Sequence, residues 1–204
     1  MTRYQYFGAS LALLALLGLG GCEKLGISSA SKPVFHGVDI TGAEYARSLA
    51  LTDQLGKPRT LGDFKGKVAV VFFGYTQCPD VCPTTLAELA EIKRSLGKEG
   101  DDLQAIFVSI DPERDTPELL KAYVANFDPS FVALRGSTEQ TKAAAQSFKV
   151  FYAKVPGRTD DQYTMDHTAG SYVFDRAGNV RVFVRYGSSP QALADDLKLL
   201  LAEK

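Results

Sequence analysis

The sequence predicts an α/β domain built on a central mixed sheet with helices packed against it. Three observations carry that prediction. Residues 68–73 are a short, unbroken apolar run rich in β-branched and aromatic residues, and residues 103–110 a second run, apolar but for Gln104 and Ser109, the pattern of strands buried on both faces of a sheet. Each run is followed by a stretch of helical periodicity. Near the C-terminus, residues 171–175 and 180–186 flank Arg176-Ala-Gly-Asn179, a hairpin signal that adds antiparallel strands to an otherwise parallel arrangement.

Taken in chain order, the first 21 residues are of a different kind from the rest. Arg3 precedes the apolar stretch 7–19, which is too short and too diluted by Gly and Ala for a comfortable membrane span and has the layout of an export signal. It runs into Leu19-Gly20-Gly21-Cys22, which resembles a bacterial lipobox: cleavage before Cys22 would leave that cysteine to carry lipid. Residues 1–21 are therefore expected to be a lipoprotein signal peptide. Residues 22–33, with Gly26, Ser28, Ser29, Ala30 and Ser31, would be a lipidated flexible tether, and 34–204 the folded domain. The domain would stand on the extracytoplasmic, periplasmic face of a bacterial cell envelope, held to a lipid membrane by acyl chains worth roughly 0.8 kcal/mol per buried CH₂.

Residues 34–40 and 50–60 supply short additional strands at the N-terminal side, with Gln54-Leu-Gly-Lys-Pro58 as a turn, and a second turn at 63–67 leads into the central run. Gly74 ends that run. Leu86, Leu89, Ala90 and Leu96 then recur at helical spacing behind Pro83, which suits the first helical position because it has no N–H to leave unpaired. After the second buried strand, Thr116 is placed to cap and Pro117 to start a helix whose Leu120, Tyr123, Val124 and Phe127 share a face. A brief strand at 131–134 follows, then a helix capped by Ser137 or Thr138 and reaching about Phe148, and an extended segment at 150–155. The polar loop 156–163 leads to Met165-Asp166-His167-Thr168, expected as a loop just before the hairpin. A last helix opens near Ser189-Pro190 and buries Leu193, Leu197, Leu200 and Leu201.

A formal net charge of −1 without any basic cluster excludes a phosphate-neutralising surface, so no nucleic-acid partner is expected. The chemistry lies in the cysteines. Cys22 belongs to the anchor, leaving Cys78 and Cys82 as the thiols of the domain, both in the bend between the central strand and its helix. The unpaired N–H groups and positive dipole end of a helix stabilise an anion beside them. Cys82, at or beside the N-cap, is thereby expected to be the activated thiol. A thiol pair at the first strand-to-helix junction of such a sheet is a feature of thioredoxin-like domains, and the order βαβα followed by ββα agrees with that analogy.

Four uses of the pair compete: a structural disulfide, thiol–disulfide exchange, peroxide reduction by one reactive cysteine, and metal binding. Five residues closed by a bridge constrain the unfolded chain little, and the spacing is Cys-x₃-Cys, not the Cys-x₂-Cys of most dithiol oxidoreductases. Metal binding needs a third donor. Of the two histidines, His36 stands near the tether and is expected to be solvated, whereas His167 precedes a strand that a thioredoxin-like topology lays beside the thiols. Two thiolates and an imidazole suit Cu(I) and tolerate Cu(II); zinc also accepts Cys₂His.

Three separated motifs are similar to one family. They are Gly74-Tyr-Thr-Gln-Cys78-Pro-Asp80-Val-Cys82-Pro-Thr-Thr-Leu86, then Ser109-Ile-Asp-Pro-Glu-Arg-Asp-Thr-Pro-Glu118, then Asp166-His167-Thr168. Together they resemble the Sco/SenC proteins, copper-binding assembly factors of cytochrome c oxidase. The resemblance implies a thioredoxin-like fold in which Cys78, Cys82 and His167 bind one copper ion, with Cys78 and Cys82 also able to form a redox disulfide. It implies a metallochaperone that delivers copper to the copper-A centre of cytochrome c oxidase subunit II, or a thiol–disulfide reductase acting on that subunit's cysteines. Copper donors and thiol reductants would be further partners. Asp80 and Asp166 are candidates for supporting the ligands from outside, with turn carboxylates as the alternative. Gln77 stands where relatives carry His or another polar residue. The 111–118 segment is expected as a strand exit and helix cap, and the loop 156–163 as the part that moves to complete or open the site.

Overall fold

The structure, a computed structural model, describes residues 34–159 and 162–203. The expected signal peptide, Cys22 and the tether lie outside the described residues. Among the described residues, no helix is long and apolar enough to cross a membrane.

The chain enters through β1 (Val38–Asp39) and the hairpin β2 (Ala50–Asp53) and β3 (Pro58–Thr60), then passes a 3-10 turn, Leu61–Phe64, into the central strand β4 (Val68–Gly74). Helix α1 (Val81–Ser95) follows and reaches β5 (Leu103–Ser109) through a 3-10 stretch, Gly97–Asp102, that the sequence did not signal. Next come α2 (Pro117–Ala125), β6 (Val132–Arg135) and α3 (Thr138–Phe148). A two-stranded ribbon of β7 (Tyr152–Val155) and β8 (Thr164–His167) precedes the hairpin β9 (Gly170–Phe174) and β10 (Val180–Arg185), and α4 (Pro190–Ala202) closes the chain.

Eight strands form one sheet in the order β1-β10-β9-β4-β5-β6-β2-β3. β4, β5 and β6 are parallel, and antiparallel partners complete both sides. This is the mixed α/β architecture expected of a thioredoxin-like domain, with the extra N-terminal strands β1 to β3 at its two edges. All seven residues of β4 and all seven of β5 are buried, the polar Gln104 and Ser109 of β5 being hydrogen-bonded to the Ser130 carbonyl and Asp115. Their side chains alternate between two cores. Val68, Val70 and Phe72 face α1, α2 and α4 through Leu86, Leu89, Leu120, Leu193 and Leu197, whereas Ala69, Val71 and Phe73 face α3 and the N-terminal segments through Ala144, Phe148, Leu49 and Leu51.

Two local expectations shift. Helix α1 begins at Val81 with Asp80 as its N-cap, so Cys82 is the second helical residue and Pro83 the third. The missing N–H of proline is still harmless there, because none of the first turn's N–H groups has an intrahelical acceptor. His167 is the last residue of a strand, not part of a loop: residues 164–167 pair antiparallel with 152–155, Tyr152 opposite His167. Short, polar and mostly unburied, the ribbon lacks the apolar alternation that betrays a strand.

Asp196 of α4 is 1% exposed, and its two carboxylate oxygens accept the N–H groups of His36 and Gly37, both at 2.8 Å. This one side chain fastens the backbone of the segment leading into β1, which Phe35 also packs onto the core. Replacing it, Asp196→Ala, is expected to lower unfolding free energy by about 1–3 kcal/mol and to deprotect residues 36–39 in hydrogen exchange while β4 and β5 stay protected; urea titration and exchange mass spectrometry read both.

Candidate metal centre

Three donor atoms converge at the carboxyl end of β4: Cys78 Sγ, Cys82 Sγ and a ring nitrogen of His167 all lie within 4.8 Å of one another. Among the described residues they are the one such group of three. Cys82 is fully buried and Cys78 and His167 are half-buried, so the cluster is closed toward the core and open on one side. Both cysteines are free thiols here.

Local sequence explains each position. Gly74 ends β4 directly beneath the thiols, and a Cβ at that residue would overlap Cys82 Sγ and come within 2.8 Å of the Phe107 ring. The glycine is thus required for close approach, not for an unusual backbone angle. Pro79 and Asp80 turn the chain into α1, so the backbone N–H groups of Asp80 and Cys82 point at Cys78 Sγ, the latter at 3.5 Å. His167 is brought in from the opposite direction by β8, its Nε2 3.9 Å from Cys82 Sγ. Its Nδ1 lies 3.1 Å from the Thr168 carbonyl oxygen. A carbonyl only accepts, so Nδ1 carries a proton toward it, and Nε2 is the ring nitrogen left facing the sulfurs, the edge a metal ligand uses. The ring stands edge-on to Tyr75, centroids 6.2 Å apart at 90°.

The electrostatics distinguish the two thiols and correct the expectation that Cys82 is the activated one. Cys78 is lowered from its ordinary value of 9.0 to about 4, chiefly because Cys82 S–H donates to its sulfur, with His167 and the backbone N–H groups of Asp80 and Cys82 adding to the effect against burial. Cys82 is driven up by the same hydrogen bond, by burial and by the adjacent thiolate. The helix start does stabilise an anion, but that anion sits on the residue in front of the helix, to which the first-turn N–H groups point. Cys82, inside the helix and out of water, keeps its proton.

Asp80 and Asp166 do not touch the donors with their carboxylates. Asp80 is exposed, with Oδ1 3.3 Å from the Tyr186 hydroxyl and 3.4 Å from that of Thr84; its backbone N–H, not its side chain, reaches the thiolate. Asp166 is exposed on the strand face opposite His167, as strand alternation dictates, and the Thr168 carbonyl occupies the ring's Nδ1. His36 is exposed at the far side of the sheet, beside α4.

The segment expected only to exit a strand and cap a helix does both, since Thr116 Oγ1 accepts the Leu119 N–H at 3.2 Å, yet it also supports the site. Asp115 is fully buried; its carboxylate accepts hydrogen bonds from the Thr76 N–H and Oγ1 and from Ser109 Oγ, fixing the loop just ahead of Cys78. Burial raises it above the ordinary carboxylate range, against those hydrogen bonds. Arg114 pairs with Asp111 and donates to the Gln77 side chain and the Tyr163 carbonyl. The signal available in the sequence was position: charged residues at the carboxyl end of a parallel strand, next to the strand that carries the thiols, stand where open α/β sheets place their sites. Tyr163, expected in a moving loop, is 7% exposed and donates to Asp111 Oδ1 at 2.7 Å. Residues 160 and 161 of that loop lie outside the described residues.

Comparison with known proteins is concordant. The SCO1/SenC family model matches residues 38–202. A SCO2-like protein of Rickettsia felis is 35% identical over 192 residues, covering 92% of this chain and 94% of the relative. Among solved structures, ScoI of Bradyrhizobium japonicum with copper bound is 44% identical and superimposes with a TM-score of 0.69, covering 75% of this chain and 97% of that one. Apo Sco1 of Thermus thermophilus is 38% identical with a TM-score of 0.73, covering 83% and 99%.

Two outcomes are expected. Alkylation of the first thiol by iodoacetamide should stay nearly constant from about pH 8 down to about pH 5, because a group lowered to about 4 remains thiolate over that range. An ordinary thiol would slow about tenfold per pH unit below about 8.5. Cys82→Ala, which removes the main donor to that thiolate, should abolish the plateau. Gly74→Ala should displace Cys82 and cost roughly 1–3 kcal/mol of stability in a urea titration.

Proposed function

The chain belongs to the SCO1/SenC family, and from that premise we propose that it is a metallochaperone that takes a copper ion into the Cys78, Cys82 and His167 cradle and passes it toward the copper-A centre of cytochrome c oxidase subunit II. The observation that carries this reading is the convergence of two sulfurs and one imidazole nitrogen within 4.8 Å, in a chain 44% identical to a protein whose structure holds copper. We further place the domain on the extracytoplasmic face of the envelope, tethered through lipid on Cys22.

The donor set fits the cargo. Thiolate sulfur is a soft donor that favours Cu(I), and imidazole keeps Cu(II) accessible. Thiolate and imidazole ligands stand about 2.0–2.3 Å from a first-row ion, so donors around a common centre lie roughly 3–4 Å apart. The Cys82 to His167 edge, 3.9 Å, already has that spacing, and the remaining separations need only a small contraction.

Each residue has a separable task. Cys78, ionised and half-exposed, meets an incoming cation first. Cys82 supplies the second sulfur once its proton leaves, a loss that a neighbouring cation favours. His167 Nε2 closes the third side without covering the open one. Release then proceeds by stepwise exchange, a partner's thiolates entering from the exposed side as this chain's donors leave.

The asymmetry of the pair supports a second reading on the same fold, thiol–disulfide exchange with subunit II. Cys78 thiolate would attack a disulfide of the partner, forming a mixed disulfide and expelling one partner thiolate. Cys82, giving up its proton, would then displace the other sulfur and close the Cys78–Cys82 disulfide. Two electrons and the Cys82 proton pass to the partner, which takes its second proton from water and leaves as a dithiol.

His167 separates the readings, because exchange uses only sulfur. In a competition titration of the domain with Cu(I), Cys78→Ser and Cys82→Ser are expected to abolish tight binding, and His167→Ala to weaken it by tenfold or more while leaving reduction of a model disulfide intact. Equal copper affinity in wild type and His167→Ala, with disulfide reduction preserved, would replace the chaperone reading with the reductase.

A further inference from the structure

The ribbon that carries His167 forms no strand pairing with the main sheet: β7 and β8 pair only with each other. Backbone hydrogen bonding ties the ribbon to the sheet only where it runs on into β9, the Ala169 carbonyl accepting the Tyr186 N–H at 3.2 Å, so side chains must hold its Tyr163 end against the thiol loop. Arg114 occupies the point where the three segments involved meet. Its Nη1 donates to Gln77 Oε1 at 3.1 Å, one residue before Cys78, and to the Tyr163 carbonyl at 2.9 Å, one residue before β8. Its Nε pairs with Asp111 at 2.5 Å, just beyond the end of β5. The guanidinium lies 3.5 Å from the Tyr163 ring centroid and 5.8 Å from that of Tyr75, whose own ring abuts His167.

Competing attachments of the ribbon are weaker or indirect. The Lys154 to Glu113 pair is solvent-exposed at both ends, where an ion pair contributes little. The Met165 N–H reaches the Tyr75 hydroxyl, but Tyr75 belongs to the thiol side and leans on Arg114 in turn. A planar guanidinium, rigid and always charged, is suited to hold two acceptors and stack on a ring at once, which a lysine ammonium does not do. Gln77 thus acquires a purpose: it is the acceptor through which the thiol loop is gripped.

We propose that Arg114 is a positioning residue for the Cys78, Cys82 and His167 site, setting the reach between imidazole and sulfurs by clamping Gln77 of the thiol loop to Tyr163 at the base of the ribbon. The proposal deepens the copper reading and rests on it for its affinity test, while its structural content stands on the metal-free protein.

The experiment is a double-mutant cycle of Arg114→Met with His167→Ala, read by Cu(I) affinity, alongside hydrogen exchange of the reduced, metal-free chain. Arg114→Met keeps the apolar stem and removes the fork. In the presence of His167 it should raise the copper Kd by about tenfold, the lower end of what losing an outer support costs a metal site; in the His167→Ala background it should change Kd by less than twofold. Amides of β8 should exchange at least about tenfold faster in metal-free Arg114→Met, with β4 and β5 unchanged. An equal loss in both backgrounds, or unaltered exchange in β8, would overturn the proposal. Should Arg114→Met fail to fold, Gln77→Ala cuts one arm of the clamp at an exposed position, and Arg114→Lys keeps the charge without the fork. Both are expected to loosen β8, and neither doing so would equally overturn it. A wild-type chain that bound no copper would remove the functional premise, leaving the exchange data to decide the clamp alone.

Discussion

The site depends on two sulfurs being held so close, and so far out of water, that they cannot both be ionised without a cation between them. At a separation within 4.8 Å and an effective dielectric constant near 20, two unit charges repel by roughly 3–4 kcal/mol, enough to hold the second proton in place. The first charge is supported by backbone N–H groups at the start of α1 and by the remaining S–H. The second waits for an ion that cancels the repulsion. Capture and proton release are in this way one event, so the affinity of such a cradle for a soft cation depends on pH.

The sheet makes that proximity tolerable. β4 and β5 run parallel and buried, and both thiols stand just past the carboxyl end of β4, where the helix start turns its unpaired N–H groups inward. Cys82 packs into the same core as Leu86, Leu89 and Phe107, so its sulfur has no freedom to retreat from Cys78. Gly74 removes the one Cβ that would push it away. Beneath the loop, buried Asp115 takes three hydrogen bonds from Thr76 and Ser109, so the chain that enters the thiol bend is fixed as firmly as the helix that leaves it.

Much of this was legible in the sequence because it obeys local rules. The two apolar runs, the Thr116-Pro117 and Ser137 helix starts, the turn at 176–179 and the terminal helix each appear within a residue or two of their expected bounds. Cys78, Cys82 and His167 were legible as a set because few residue types donate softly to metals. What the sequence hid depends on tertiary context. β8 is too polar to read as a strand, although its partner β7 falls within the segment 150–155 that does read as extended. The more acidic thiol was misassigned because spacing tells which residue lies near a helix start but not which sulfur the N–H groups face or which one water reaches. Arg114, Asp111 and Asp115 read as an ordinary strand exit until folding brought Gln77 and Tyr163 beside them.

The three ligands are unequally mounted, and that inequality bears on how a bound ion would leave. The sulfurs belong to the rigid body of the domain: one is locked in a core, the other in a loop pinned by Asp115 and by α1. The imidazole hangs on a two-stranded ribbon that shares no ladder with the sheet and is fastened by an arginine, two tyrosines and an aspartate. Withdrawing a sulfur requires disturbing buried packing, whereas withdrawing the ring requires moving a half-buried ribbon whose backbone joins the sheet only at Ala169. On the proposed copper reading, exchange with a partner's donors would begin at lowest cost on the histidine side. A three-donor site with one loosely mounted member retains an ion between encounters without making the first step of transfer prohibitive. A fourth rigid ligand would deepen retention and close the exposed side through which a partner must enter.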